Sequence, residues 1–368
     1  MSRLRTALLA ALLAAMPAVA QEKKDPAPAK EPAAEPKKEL TRDQTMKAIE
    51  QDFLAARQKA SKAMQAAKTE KEEEEAKKLF PTEKDFLPRI HALIEKNDAD
   101  EPAVTALLLA MFAFDSKDAK VVAALEKNVT NPKIRVLAEA SIGGAPAAAK
   151  PLLERILKEN PDKDTKGVAC FALASMAFDE EEDKPHAASE ALFARIEKEF
   201  AAVKLEKDTL GDLAKGYLFE IRSLGIGMKA PEAGSKTLEG KKDTLAGYKG
   251  KVVILDIWAT WCGPCRAMIP DERALTEKYK DKPLVFISLS ADDEKKDVED
   301  FLKEEKMPWT HWWDGGKESA IIKTWNVRFF PTIYVIDAAG VIRYKNVREK
   351  DLEKAVAKLV AEAEAAKK

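Results

Sequence analysis

Two cysteines separated by two residues, in the run Trp261-Cys262-Gly263-Pro264-Cys265, are the side chains best suited to chemistry in this chain. They follow an apolar, β-branched run of strand length at 252–258 and precede a stretch of helical spacing at 267–279. The first Cys then falls at a helix N-terminus, where unpaired N–H groups and the helix dipole stabilise a thiolate. Cys262 is expected to be the exposed, low-pKa nucleophile, with Cys265 one turn later, less accessible but within reach. Such a pair exchanges with disulfides. Cys262 attacks a substrate sulfur, Cys265 resolves the mixed disulfide, and a Cys262–Cys265 bond remains. Gly263 and Pro264 hold the short loop, Pro264 standing near the helix start where a missing N–H costs little. A C-x-x-C is also half of a zinc site, which needs two further ligands. Cys170 lies in a different part of the chain and His311 is the only histidine after His186, so no metal and no cofactor is expected.

The other candidates carry less. Cys170 sits in an apolar helical stretch, where a lone Cys acts as a small buried hydrophobe. His91 and His186 stand far apart with no ligand-like spacing, and packing or surface roles suit them. Positioning the cysteine pair falls to an alternating series of elements. Strands are expected at 252–258, 284–290, 310–313, 332–336 and 341–345, and helices at 267–279, 294–305, 316–325 and 349–366. Strands alternating with helices and closing in a hairpin make a small α/β sandwich.

The whole chain is longer than that sandwich needs. Its 368 residues exceed one compact core. Lys plus Arg number 62 against 63 Asp plus Glu, which gives no reason to expect nucleic-acid binding, and a hydrophobic content of 46% excludes a wholly disordered chain. With 3 Cys, disulfides cannot staple a chain this long. All 6 Trp lie between Trp258 and Trp325, whereas residues 21–230 contain none and are rich in Ala, Lys and Glu. Two differently built halves follow.

Residues 1–20 join Arg3 and Arg5 to an apolar core and an Ala18-Val19-Ala20 end, the pattern of a cleavable secretory signal. Residues 21–40 are Pro, Ala, Lys and Glu, a linker that cannot bury enough surface to fold alone. Residues 40–78 have helix-forming composition, and helices are expected at 85–96, 102–114, 117–127, 132–141, 146–159, 164–178, 185–201 and 208–224. The decapeptide starting at Ala106 resembles the one starting at Cys170, at an offset of 64 residues. Half of that offset is the length of one helical hairpin, so 41–225 reads as an all-α helical-hairpin repeat domain, similar to tetratricopeptide or HEAT arrays without either full signature. Its concave surface is a candidate site for a protein partner.

The run from Leu255 to Arg266, Leu-Asp-Ile-Trp-Ala-Thr-Trp-Cys-Gly-Pro-Cys-Arg, resembles the active-site strand and loop of the thioredoxin superfamily, particularly the exported thiol-disulfide oxidoreductases of the TlpA and ResA type. The resemblance extends from about Gly227 to the end, through Ala230-Pro231, Tyr248 to Val253, Pro270 in the active-site helix, and Val327 to Thr332 followed by Asp337 and Gly340. It implies a thioredoxin-like redox domain over 226–368. It also implies roles. Asp256, six residues before Cys262, would be buried with a raised pKa and exchange the proton of Cys265. Pro331, if cis, would set a backbone edge facing Cys262 that pairs with an extended substrate. Trp261 would cover the disulfide, and Phe330 beside Pro331 would shape the groove. Two features depart from the pattern: Met268 stands where relatives often carry a Glu, and Phe329 and Phe330 before Pro331 are bulkier than usual; the segment 292–316 with Trp309, His311, Trp312 and Trp313 is longer than in minimal thioredoxins and resembles the insertion of the TlpA-like branch.

The reading is an exported enzyme, periplasmic or otherwise extracytoplasmic, that reduces protein disulfides and is itself reduced by a membrane electron donor. The Gly-Pro between the cysteines favours a reducing potential, by resemblance to thioredoxin. Alternatives are a thiol peroxidase of the wider redoxin family, which would need a Thr where Ala259 stands, and a helical-repeat adaptor with a secondary redox domain.

Overall fold

The computed structural model describes residues 40–181 and 186–366, so the expected signal at 1–20 and nearly all of the expected linker at 21–40 lie outside the described residues. Contacts divide the chain into two compact units between Gly211 and Asp212, rather than at the expected 225/226.

In the first unit, helix α1 (Arg42–Ala66) opens with a capping box in which Thr41 and Gln44 satisfy each other's backbone N–H. It buries Met46, Ile49, Phe53 and Ala60 along one face. A second capping box, Thr69 with Glu72, restarts the chain as α2 (Glu70–Lys77), so the helical stretch expected over 40–78 is two helices. Helices α3 (Glu83–Lys96), α4 (Glu101–Phe114), α5 (Ala119–Lys127), α6 (Arg135–Ala140), α7 (Ala149–Glu159), α8 (Lys163–Glu180) and α9 (Ala187–Glu199) follow close to their expected bounds. Phe53, Phe86 and Phe114 meet with ring centroids 5.5 to 5.8 Å apart and tie α1, α3 and α4 together. The two similar decapeptides lie in α4 and α8, the helices buried on nearly every side.

Asparagines stitch successive helix pairs. Asn128 Nδ2 donates to the Asp98 carbonyl, Asn131 Nδ2 to that of Ala99, and Asn160 Nδ2 to that of Val129, across 30, 32 and 31 residues of sequence. Each rung satisfies a loop carbonyl that would otherwise be lost to the stacked neighbour. The unit is not purely helical: β1 (Lys204–Leu205) and β2 (Asp208–Thr209) form a small antiparallel hairpin after α9.

The second unit starts within α10 (Leu210–Ser223), a helix that the sequence assigned to the repeat region. Its centre is a five-stranded sheet in the order β7-β6-β5-β8-β9, from β5 (Val252–Trp258), β6 (Leu284–Ser290), β7 (Thr310–Trp312), β8 (Thr332–Ile336) and β9 (Ile342–Lys345). β5 runs parallel to β6 and antiparallel to β8. Helices cover both faces, which is why every residue of β5 is buried. Val253, Leu255 and Ile257 share one core with Val298 of α12 (Lys295–Glu304) and with Ile321 and Ile322 of α13 (Ala320–Thr324). Val252 and Ile254 share the other with Met268 and Leu275 of α11 (Gly263–Lys278) and with Leu352, Val356 and Leu359 of α14 (Glu349–Ala365). This is the expected thioredoxin-like α/β arrangement.

Two local departures have plain causes. An unexpected hairpin of β3 (Gly234–Lys236) and β4 (Lys242–Thr244) docks at the outer strand, where Asp243 accepts from Trp312 Nε1 at 2.9 Å and from Tyr248 Oη at 2.5 Å. The helix expected at 316–325 shortens to a single turn followed by α13, because Gly315 and Gly316 have φ of 108° and 61°. A Cβ on Gly316 would stand 2.3 Å from the Asp292 carbonyl oxygen, so the close approach admits only glycine.

Candidate active site

Cys262 is the N-cap of α11, and its Sγ accepts the Cys265 N–H at 3.2 Å, as a thiolate at a helix start would. The helix begins four residues sooner than the spacing alone indicated, directly after this sulfur. Cys262 and Cys265 are joined in a disulfide of 2.07 Å. Cys262 is 6% exposed and Cys265 4%, so the expected contrast between an exposed and a sheltered sulfur is nearly absent in the oxidised form. The reason is crowding: both sulfurs belong to the core against which Phe330 packs.

Aromatic rings frame the pair. Trp261 is 55% exposed, meets Phe330 edge-on at 5.5 Å and carries the Lys317 ammonium 5.0 Å from its ring centre. Phe329 is also exposed. The Phe330–Pro331 peptide is cis, immediately before β8, whose Thr332 pairs with Ile257 of the active-site strand. The loop carrying Trp261 is pinned by Asp292, which sequence reasoning passed over. Its carboxylate accepts from the Thr260 N–H at 3.0 Å, from Thr260 Oγ1 at 2.6 Å and from Ser290 Oγ at 2.7 Å. Trp313 Nε1 donates to the Asp292 carbonyl, Trp309 Nε1 to Ser288 Oγ and Trp312 Nε1 to Asp243, so the tryptophans of the long segment spend their N–H groups internally.

Asp256 points to the face of β5 that α11 and α14 cover, by alternation with Val252 and Ile254. It is 3% exposed, and its Oδ1 has no hydrogen-bond partner among the described residues. Burial raises its pKa, against a smaller opposing influence of the Arg348 guanidinium, whose Nη2 also donates to the Pro331 carbonyl at 3.4 Å. On α11, Met268, Glu272 and Leu275 form one buried stripe on that face. Glu272 is as buried as Asp256, and its pKa is raised by burial first and then by the Asp256 and Asp271 carboxylates. Met268 takes the place where relatives often carry a Glu, and the buried carboxyl on this face of α11 is Glu272, one helical turn further on. The signal was available, since Glu272 interrupts an apolar i, i+4, i+7 pattern.

The remaining candidates fall elsewhere. Cys170 is fully buried in α8, and burial pushes its thiol up to about 11. His91 hydrogen-bonds Asp118 at 2.8 Å, and His311 the Met307 carbonyl at 2.9 Å.

Residues 226–362 match a protein-family model described as Redoxin. The chain is 39% identical over 128 residues to the thiol-disulfide oxidoreductase ResA of Bacillus thuringiensis subsp. konkukian, covering 35% of this chain and 73% of that protein. It is 37% identical over 126 residues to the thioredoxin-like protein YneN of Bacillus subtilis, covering 33% of this chain and 72% of the relative. Among solved structures it is similar to the thioredoxin domain of a thiol-disulfide oxidoreductase from Bacteroides vulgatus, at 29% identity and a TM-score of 0.36, over 38% of this chain and 99% of that one.

Proposed function

This chain belongs to the thiol-disulfide oxidoreductases of the ResA type, and from that premise we propose that Cys262, Cys265 and Asp256 are its working groups in the reduction of protein disulfides. The observation that carries the proposal is the Cys262 sulfur at the start of α11, accepting a helical N–H, with a buried carboxyl on the strand beneath.

In the reduced enzyme the Cys262 thiolate attacks one sulfur of the substrate disulfide. That bond breaks, a mixed disulfide forms and the expelled substrate thiolate takes a proton. Asp256 accepts the proton of Cys265, whose thiolate then attacks Cys262 Sγ. The second substrate thiol leaves with that proton, and the Cys262–Cys265 disulfide remains. Two electrons have passed to the substrate. A carboxyl whose pKa lies near neutrality suits both directions of this transfer. Glu272 adds a second proton-holding group, its own proton affinity raised by burial and then by the Asp256 carboxylate. Trp261, Gly263, Pro264, Phe330 and Pro331 form the rim on which an extended substrate segment lies.

The oxidised pair must be reduced again by a dithiol donor. With a secretory signal at 1–20, that donor would be a membrane protein and the enzyme would act outside the cytoplasm. Among the described residues no helix is long and apolar enough to cross a membrane. The helical unit that ends at Gly211 would supply a surface for a protein partner.

Insulin-disulfide reduction with dithiothreitol tests the chemistry. Wild type is expected to be active, Cys262→Ser inactive, and Cys265→Ser trapped as a mixed disulfide. No activity in wild type, or full activity in Cys262→Ser, overturns the reading. A reduction potential near −270 mV, as in thioredoxin, supports a reductase, and one near −120 mV, as in DsbA, reverses the direction.

A further inference from the structure

Helix α10 ends before residue 226, where the Redoxin match begins, yet it reaches the loop that leads into Pro331. Glu220 of this helix is 9% exposed. Its Oε2 accepts from Arg328 Nη1 at 2.5 Å and from Asn326 Nδ2 at 3.0 Å, and its Oε1 accepts from Lys345 Nζ of β9 at 3.1 Å. One turn earlier, the Tyr217 ring centre lies 4.4 Å from the Arg328 guanidinium carbon. At Gly216 an added Cβ would stand 2.8 Å from Asn326 Oδ1, so helix and loop are as close as glycine allows. Asn326 itself has a φ of 53°, a conformation that asparagine tolerates better than most residues.

Two cations and an amide converging on one carboxylate keep it charged despite burial, and its pKa is lowered accordingly: burial acts to raise it, and Arg328 and Lys345 together outweigh that. The cations come from different elements. Arg328 belongs to the loop and Lys345 to the last strand, so Glu220 fixes the distance between them. Between Asn326 and Pro331 the loop is also held by the Asn326 N–H on the Lys323 carbonyl, the Val327 N–H on the Ile322 carbonyl, the Phe329 carbonyl under Thr332 Oγ1 and Arg348 Nη2 on the Pro331 carbonyl.

We propose that Glu220 is a positioning residue for substrate recognition: it sets the loop from Asn326 to Pro331, and with it the Phe329-Phe330 rim against which a disulfide-bearing polypeptide docks. The proposal rests on the reading of that loop as the substrate groove. It gives a helix outside the Redoxin match a part in choosing substrates. A small disulfide needs only the Cys262 sulfur, so it does not feel the groove. A polypeptide does.

The test compares full-length wild type, Glu220→Gln, Arg328→Met and Phe330→Ala on two substrates, insulin and the small aromatic disulfide 5,5′-dithiobis(2-nitrobenzoate). Glu220→Gln keeps the acceptor oxygen and the shape, so it is the variant least able to disturb folding, and circular dichroism checks this. For Glu220→Gln and Arg328→Met, KM for insulin is expected to rise about tenfold with kcat within about twofold, the pattern of lost uniform binding. Their rates with the small disulfide and their reduction potentials are expected to stay at wild-type values. An unchanged insulin KM in both variants overturns the proposal. So do equal losses on both substrates, which would mean that the ion pair supports the cysteine pair rather than the groove. Phe330→Ala separates the two levels of inference. If it leaves the insulin KM unchanged, the groove reading itself falls. If it raises KM while the Glu220 and Arg328 variants do not, only the role of Glu220 falls.

Discussion

Glu220 lies at one side of the redox sheet, and Asp256 with Glu272 at the other, in nearly the same degree of burial. Glu220 meets Arg328, Lys345 and Asn326, and its pKa falls below the usual carboxylate range. Asp256 has an oxygen without a partner among the described residues, Glu272 faces another carboxylate, and both pKa values rise. Burial is common to the two regions, so it does not decide what a carboxyl does. Its partners do. A carboxylate saturated by cations holds structure and is poorly suited to exchanging a proton, whereas one left short of partners can carry a proton at neutral pH.

Removing the saturated group should cost the most stability. Glu220→Ala strands Arg328 and Lys345, and a loss of about 3–5 kcal/mol is expected in urea unfolding of the redox unit. A loss below about 1 kcal/mol would place Glu220 with ordinary exposed ion pairs. Asp256→Asn should do the opposite, costing no stability and adding some as pH rises, since burial raises the pKa of the carboxyl it removes, but slowing the Cys265 step about a hundredfold at pH 7, as loss of a general acid or base does. Single-turnover release of substrate from the mixed disulfide would measure it.

Glu272→Gln should produce a smaller, pH-dependent change. Both raised carboxyls bind protons more tightly in the folded chain than in the unfolded one. Their contribution is therefore complete below about pH 4.3, the free carboxyl range, and is lost as pH rises towards the folded values. The Gln variant should match wild type in acid and exceed it in mild alkali by at least about 1.4 kcal/mol, the worth of one pKa unit. Thermal unfolding across pH 4 to 9 reads this directly, and parallel curves would mean that Glu272 carries no proton of its own. Smallest of all, Cys170→Ala should leave insulin reduction unchanged and cost about 1 kcal/mol, because a buried thiol with a raised pKa acts only as a space-filling group.

The sequence carried the strands and helices of both units well, since β5 is a β-branched apolar run and several of the repeat helices, α4, α5 and α8 among them, begin at Asp caps. The pairing of Cys262 with Cys265 was legible from local spacing, and the burial of Asp256 from the resemblance of its strand to the family's. Asp292 and Glu220 were not, as their partners lie 32 and more than 100 residues away. Such pairings exist only once the sheet order is set. The hairpin of β3 and β4 escaped because its polar strands have no apolar alternation to reveal them. The asparagine rungs and the second capping box were readable in principle. They required attention to loop residues rather than to the apolar stripes between them.

The confinement of all 6 Trp to the span from Trp258 to Trp325 has an optical consequence. The 5 Tyr, from Tyr217 to Tyr344, lie in the same unit, so the helical unit contains neither Trp nor Tyr. Tryptophan emission and the tryptophan and tyrosine bands of the near-ultraviolet dichroism therefore report on the redox unit alone. Trp261, beside a bond that opens and closes, makes that emission a natural gauge of its oxidation state. A melting curve followed by fluorescence would be silent about half of the molecule, and only the amide signal would reveal whether the two units unfold together.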